Sequence, residues 1–139
     1  IRFIARSLAG FRGTNGADFY TLLVSLRRSS MATAYKVLGQ SNPAATTNTT
    51  LYTVPSSTSA VVSSIVICNQ TASAATYRIA VRPAGASVAA QHWIVYGATV
   101  AASDSTILTV GLTLATTDVL TVYASTANLS FSAFGSTIA

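Results

Sequence analysis

Apolar and polar residues alternate with a period of two through much of this chain, the pattern of strands with one buried face. In Ala75 to Arg82, Tyr77, Ile79 and Val81 fall on one side, and Thr76, Arg78, Ala80 and Arg82 on the other. In Thr106 to Leu114 the inner side reads Leu108, Val110, Leu112 and Leu114, and the outer side Ile107, Thr109, Gly111 and Thr113. Ala60 to Asn69 differs: its odd positions (Val61, Ser63, Ile65, Ile67) and its even ones (Val62, Ser64, Val66, Cys68) are both largely apolar. It is predicted to be a central strand with apolar residues on both faces, the second covered by a loop, a neighbouring subunit or nothing at all. With the even-numbered face outward, Val62 and Val66 join Ile107 as a candidate interface.

Shorter strands are predicted at Tyr35 to Leu38, Leu51 to Val54, Gln91 to Tyr96, Val119 to Ser125 and Leu129 to Phe134. Pro55 ends the second of these, since proline cannot donate to a ladder. Gly39 to Thr50 and Gly97 to Ser105 read as long connections, the latter with room for a short strand at Thr99 and Val100. The closing gaps, Ala115 to Asp118 and Thr126 to Asn128, are short enough for antiparallel hairpins and predict a terminal meander. The expected fold is all-β, a two-sheet antiparallel sandwich of about eight strands, immunoglobulin-like or jelly-roll-like, with no long helix.

Composition adds an unusual surface. Of the 139 residues, 50% are hydrophobic and 8% charged, against about a quarter charged in an ordinary soluble domain. No apolar run approaches the ~18 residues of a membrane-spanning helix, so membrane insertion is not expected. The net charge of +5 is concentrated in Arg2, Arg6, Arg12, Arg27 and Arg28. From Met31 onward the charged residues are Lys36, Arg78, Arg82, Asp104 and Asp118, three positive and two negative, a net of +1. That footprint is too small for a phosphate-tracking surface, so no nucleic-acid partner is expected. An uncharged surface suits a subunit within an assembly better than a free monomer.

Residues 1–30 lack the alternation and form an expected boundary, with a single domain over 31–139. A signal peptide is disfavoured by Arg27-Arg28, which separates the apolar patch at Phe19 to Leu26 from the small residues at Ala32 to Ala34. If both arginines were encoded AGG, the bases AGGAGG would form a ribosome-binding site two codons before Met31. The expectation is therefore upstream sequence read through in frame; proteolytic processing and a basic arm are the alternatives.

Little catalytic chemistry can be assembled. The chain has no Glu, and Asp104 and Asp118 stand in turn contexts where Asp bonds its own backbone. One His and one Cys cannot make a four-ligand zinc site, and Cys68 has no intrachain disulfide partner. No Gly-x-Ser-x-Gly or phosphate loop follows Met31. Neither an enzyme nor a cofactor is expected. The residues left for binding are aromatic and basic: His92, Trp93, Tyr96, Arg78 and Arg82 as candidate surface contacts, with Tyr52 and Tyr123 as further aromatics. Three Asn-x-Ser/Thr matches, at Asn48, Asn69 and Asn128, carry no weight in a chain so rich in Ser and Thr.

Several stretches carry a resemblance: Lys36-Val37-Leu38-Gly39-Gln40, Leu51-Tyr52-Thr53-Val54-Pro55, Ser63 to Asn69, Tyr77 to Arg82, Val122 to Thr126 and Leu129 to Gly135. From Met31 onward the chain resembles small β-sandwich virion structural proteins of tailed bacteriophages, especially phages of aquatic bacteria and cyanobacteria. The resemblance implies a non-enzymatic protein on the particle exterior, decorating the capsid or attached to tail or neck. Its implied partners are further copies of itself, a trimer among the options, and other virion proteins. A carbohydrate-binding or adhesion module is the alternative, with a host-surface glycan as ligand.

Overall fold

The computed structural model describes residues 32–139, which form one unit of eight strands. The strands are β1 (Thr33–Ser41), β2 (Thr49–Thr53), β3 (Ser59–Asn69), β4 (Ala75–Arg82), β5 (Trp93–Val100), β6 (Ser105–Leu114), β7 (Val119–Ala124) and β8 (Leu129–Ile138). Short 3₁₀ turns at Pro83–Gly85 and Ala90–His92 connect β4 to β5. The expectations for residues 1–30 lie outside the described residues.

The strands make two antiparallel sheets, ordered β1-β8-β3-β6 and β2-β7-β4-β5. The pairings are nested: β4 with β5, β3 with β6, β2 with β7, and β1 with β8. Successive pairs alternate between the sheets, as when one long hairpin is rolled around a barrel-shaped core. Of the two sandwich types expected, this is the jelly roll.

The terminal meander is not formed. β6, β7 and β8 lie in alternate sheets, so each of their short connections arches over the core. Loop length alone does not separate a hairpin from an arch; burial does. Five of the six residues of β7 are buried, which requires strand neighbours on both edges and cover on both faces, and β7 finds them between β2 and β4. In β6 exposed and half-buried residues alternate, as befits the edge it occupies.

The apolar run of β3 has a different cause from the two apolar faces expected. Its ladders with β6 and β8 both slip between Val62 and Ser64. This bulge reverses the strand's parity. Ala60 and Val62 point inward before it, and Ile65, Ile67 and Asn69 after it. Ser63 Oγ donates to the Phe134 carbonyl at 3.0 Å. The neighbouring β8 approaches closely through glycine: a Cβ on Gly135 would collide with the Val61 carbonyl; separately, one on Gly39, beside the β1 bulge, would collide with the Leu51 carbonyl of the other sheet.

The core lies between the sheets and includes Leu38, Val54, Ile65, Ile79, Leu120, Val122 and Leu129. Tyr77 of one sheet meets Phe131 of the other edge to face, 6.2 Å between centroids. Burial raises the Tyr77 hydroxyl above its ordinary pKa. Other boundaries shift both ways: β1 continues to Ser41, β5 runs unbroken through Thr99 and Val100 and β8 reaches Ile138, while Gln91 and His92 fall in a 3₁₀ turn before β5, β2 ends at Thr53 and β7 at Ala124.

Candidate functional site

The outer face of the β2-β7-β4-β5 sheet carries Arg78, Trp93, Tyr96 and Tyr123. Arg78 on β4 is in direct register with Tyr96 on β5 and Tyr123 on β7. Cross-strand neighbours on one face are close enough to stack. The guanidinium carbon accordingly sits 4.1 Å from the Tyr96 ring centre, 4.4 Å from that of Tyr123 and 5.9 Å from that of Trp93. Trp93 and Tyr96 meet edge to face at 5.4 Å.

Strict alternation would put Trp93 and Tyr96, three residues apart, on opposite faces. The β4–β5 ladder slips between Ile79 and Ala80, leaving Ile94 without a ladder partner and turning Trp93 back to Tyr96's side. A second slip leaves Gly97, with φ of 76°, unpaired on the same edge strand. Both irregularities also roughen an edge that would otherwise invite pairing by another chain.

His92 and Arg82 each make hydrogen bonds within or to the β4–β5 connection. His92 Nδ1 accepts the Ala89 N–H at 3.0 Å, and the His92 N–H donates to the Ala89 carbonyl at 3.1 Å. Arg82 Nε donates to Thr121 Oγ1 at 2.9 Å, and an Arg82 terminal nitrogen to the Ala86 carbonyl at 3.1 Å. The Arg82 bonds tie the start of this connection to the sheet, where Ala80 and Thr121 are buried despite lying on its outer side. Beside this segment opens a cavity of about 590 Å³ lined by Val88, Ala89, Ala90, Trp93 and Tyr96.

The opposite sheet carries apolar residues on its outer face, interspersed with Ser64, Thr109 and Ser132. Val66 and Ile107 are ladder partners there, and Ile107 is 68% exposed. Val62 does not belong with them: it is 0% exposed, because the bulge at Ser63 turns it into the core. In its place are residues the sequence reading left out. Tyr35 (87% exposed) and Val37 border a shallow groove of about 500 Å³ with Val61 and Phe134. The alternation of Tyr35 and Val37 around Lys36 is the signal in the sequence that would have found them.

The acidic residues serve turns. Asp118 accepts the N–H groups of Ala84 and Ala115, both at 2.9 Å, and Asp104 accepts that of Ser105 at 2.8 Å. Among the described residues no three His, Cys, Asp or Glu side chains group as a metal site, and no helix is long and apolar enough to cross a membrane. Cys68 is half-buried on the outer side of β3, opposite Ser105 and Ser130. No protein-family model, curated protein or solved structure matches the chain.

Proposed function

We propose that the jelly roll is a non-enzymatic structural subunit of a bacteriophage particle, placed on the exterior of the capsid, tail or neck and acting through self-association and contacts with other virion proteins. The observation that carries this reading is the exposed apolar face formed by Tyr35, Val37, Val66 and Ile107 on a domain with a net charge of +1. Exposed apolar side chains on both edges of one sheet face favour protein contact, and an oligomer such as a trimer would cover them. The sequence resemblance supplies the virion context.

Sedimentation velocity over a hundredfold range of protein concentration tests self-association. A discrete oligomer that Ile107→Asp dissociates is expected, whereas a monomer at every concentration contradicts the reading. Quantitative mass spectrometry of purified particles tests the context: many copies per particle fit capsid decoration, few fit the tail or neck, and none refutes a virion role.

A second reading, a carbohydrate-binding module, is favoured by one specific observation: Arg78, Trp93, Tyr96 and Tyr123 share the outer face of the other sheet. The two faces are separate, so self-association and ligand binding can be measured independently.

A further inference from the structure

Self-association through the apolar face leaves the arginine–aromatic cluster unused. Arg78 is the only described basic residue placed in it, because Arg82 bonds Thr121 and the start of the β4–β5 connection and Lys36 lies on the other sheet. Asp104 and Asp118 are held by backbone N–H groups in turns. The described groups found around the Arg78 guanidinium are the rings of Tyr96 and Tyr123, 4.1 and 4.4 Å from its central carbon. The rings contact it through their π faces, and among the described residues its N–H donors have no hydrogen-bond acceptor. Those donors match the paired oxygens of a carboxylate or sulfate.

Trp93 and Tyr96 adjoin the cation and line the open cavity, Tyr96 being 64% exposed. The cavity, about 590 Å³, is shallow and widely open to solvent. Its other walls, Val88, Ala89 and Ala90, are small and apolar. The site thus offers one cation beside an aromatic surface of mixed polarity.

We infer that this cluster binds an acidic saccharide, with Arg78 pairing a carboxylate or sulfate and Trp93 and Tyr96 covering the C–H face of the sugar ring. The inference deepens the carbohydrate-binding reading and rests on it. An acidic peptide fits less well, since a run of carboxylates calls for several cations and the cluster holds one.

Trp93 is the only tryptophan in the chain, so its fluorescence reports on this site alone. The full chain is titrated with trigalacturonate, a sulfated galactose trisaccharide, the neutral galactose trisaccharide and polyglutamate, with calorimetry alongside. Saturable binding of at least one acidic sugar, at least about tenfold tighter than the neutral one, is expected. It should weaken between about 0.05 and 0.5 M salt, as a charge-assisted contact does. Arg78→Gln should remove the preference for the acidic sugar. Tyr96→Ala, at an exposed position, should weaken binding severalfold with the fold intact, and keeps the test open if Arg78→Gln does not fold. Equal binding of acidic and neutral sugars overturns the acidic assignment and leaves carbohydrate binding standing. Tighter binding of polyglutamate than of any sugar overturns the saccharide assignment, and no binding of any probe by either method overturns both.

Discussion

Asn69, the last residue of β3, is 2% exposed, and its amide ties the ends of three segments together. Nδ2 donates to the carbonyls of Ser73 (2.8 Å), Val100 (3.2 Å) and Ala101 (3.1 Å), while Oδ1 accepts the Thr71 N–H at 3.0 Å and its hydroxyl at 2.9 Å. Removing one partner strands the others, so Asn69→Ala should lower stability by about 2–4 kcal/mol in urea unfolding. Nothing in Asn69-Gln70-Thr71 distinguishes this residue from a chance glycosylation motif, because its partners are brought to it by β5 and the following loop. Tyr52 presents the converse case. Its hydroxyl is buried without a hydrogen-bond partner among the described residues, so Tyr52→Phe should leave thermal stability unchanged or raise it by about 1 kcal/mol. Burial also raises the pKa of Tyr52 and Tyr77 above the ordinary value of 10.0. The folded state therefore holds these protons longer than the unfolded chain. Their contribution is fully present below the unfolded value near pH 10 and is lost as pH rises through the folded values. Urea unfolding should show stability declining above about pH 10, with a shallower decline in Tyr52→Phe.

At the scale of the element, β3 shows how a single residue can divide a strand. Val62 and Val66 have the same sequence parity, yet the bulge at Ser63 places one in the core and leaves the other half-exposed. Val62→Asp should therefore prevent folding, since a buried unpaired carboxylate is among the most damaging changes a core can receive. Val66→Asp should keep the far-ultraviolet circular dichroism spectrum and melting transition of the parent while weakening self-association. Gly135 opposite the bulge is equally constrained: Gly135→Val drives its side chain into the Val61 carbonyl and should destabilise by about 3 kcal/mol or more. The strand itself was legible to within one residue, from its β-branched composition and the flanking turn residues. The bulge was not, because two half-strands of opposite parity produce the same apolar run as one strand covered on both faces. In β5 the slip at Ile94 likewise hid the alliance of Trp93 with Tyr96, although Trp93, Tyr96, Arg78 and Tyr123 were each recognisable as surface candidates.

At the scale of the whole molecule, the two sheets turn unlike faces outward: one apolar, the other carrying the stacked arginine. Their responses to salt should differ accordingly. If the apolar face mediates self-association, sedimentation profiles should change little between about 0.05 and 0.5 M salt, since such contacts owe little to screened charge. Nested pairing also brings β1 beside β8 from opposite ends of the described chain, a non-local topology expected to fold in milliseconds to seconds, which stopped-flow refolding would measure. The sequence by itself determined the all-β class, the eight strands and the nearly uncharged domain, because alternation, turn residues and composition act over a few neighbouring positions. Tertiary structure alone decided which sheet each strand joined, that β6, β7 and β8 arch between sheets, that Val62 is core, and that four residues from β4, β5 and β7 meet at one point. Each depends on hydrogen-bond partners distant in the chain, and a four-residue connection or an apolar run is compatible with more than one set of partners.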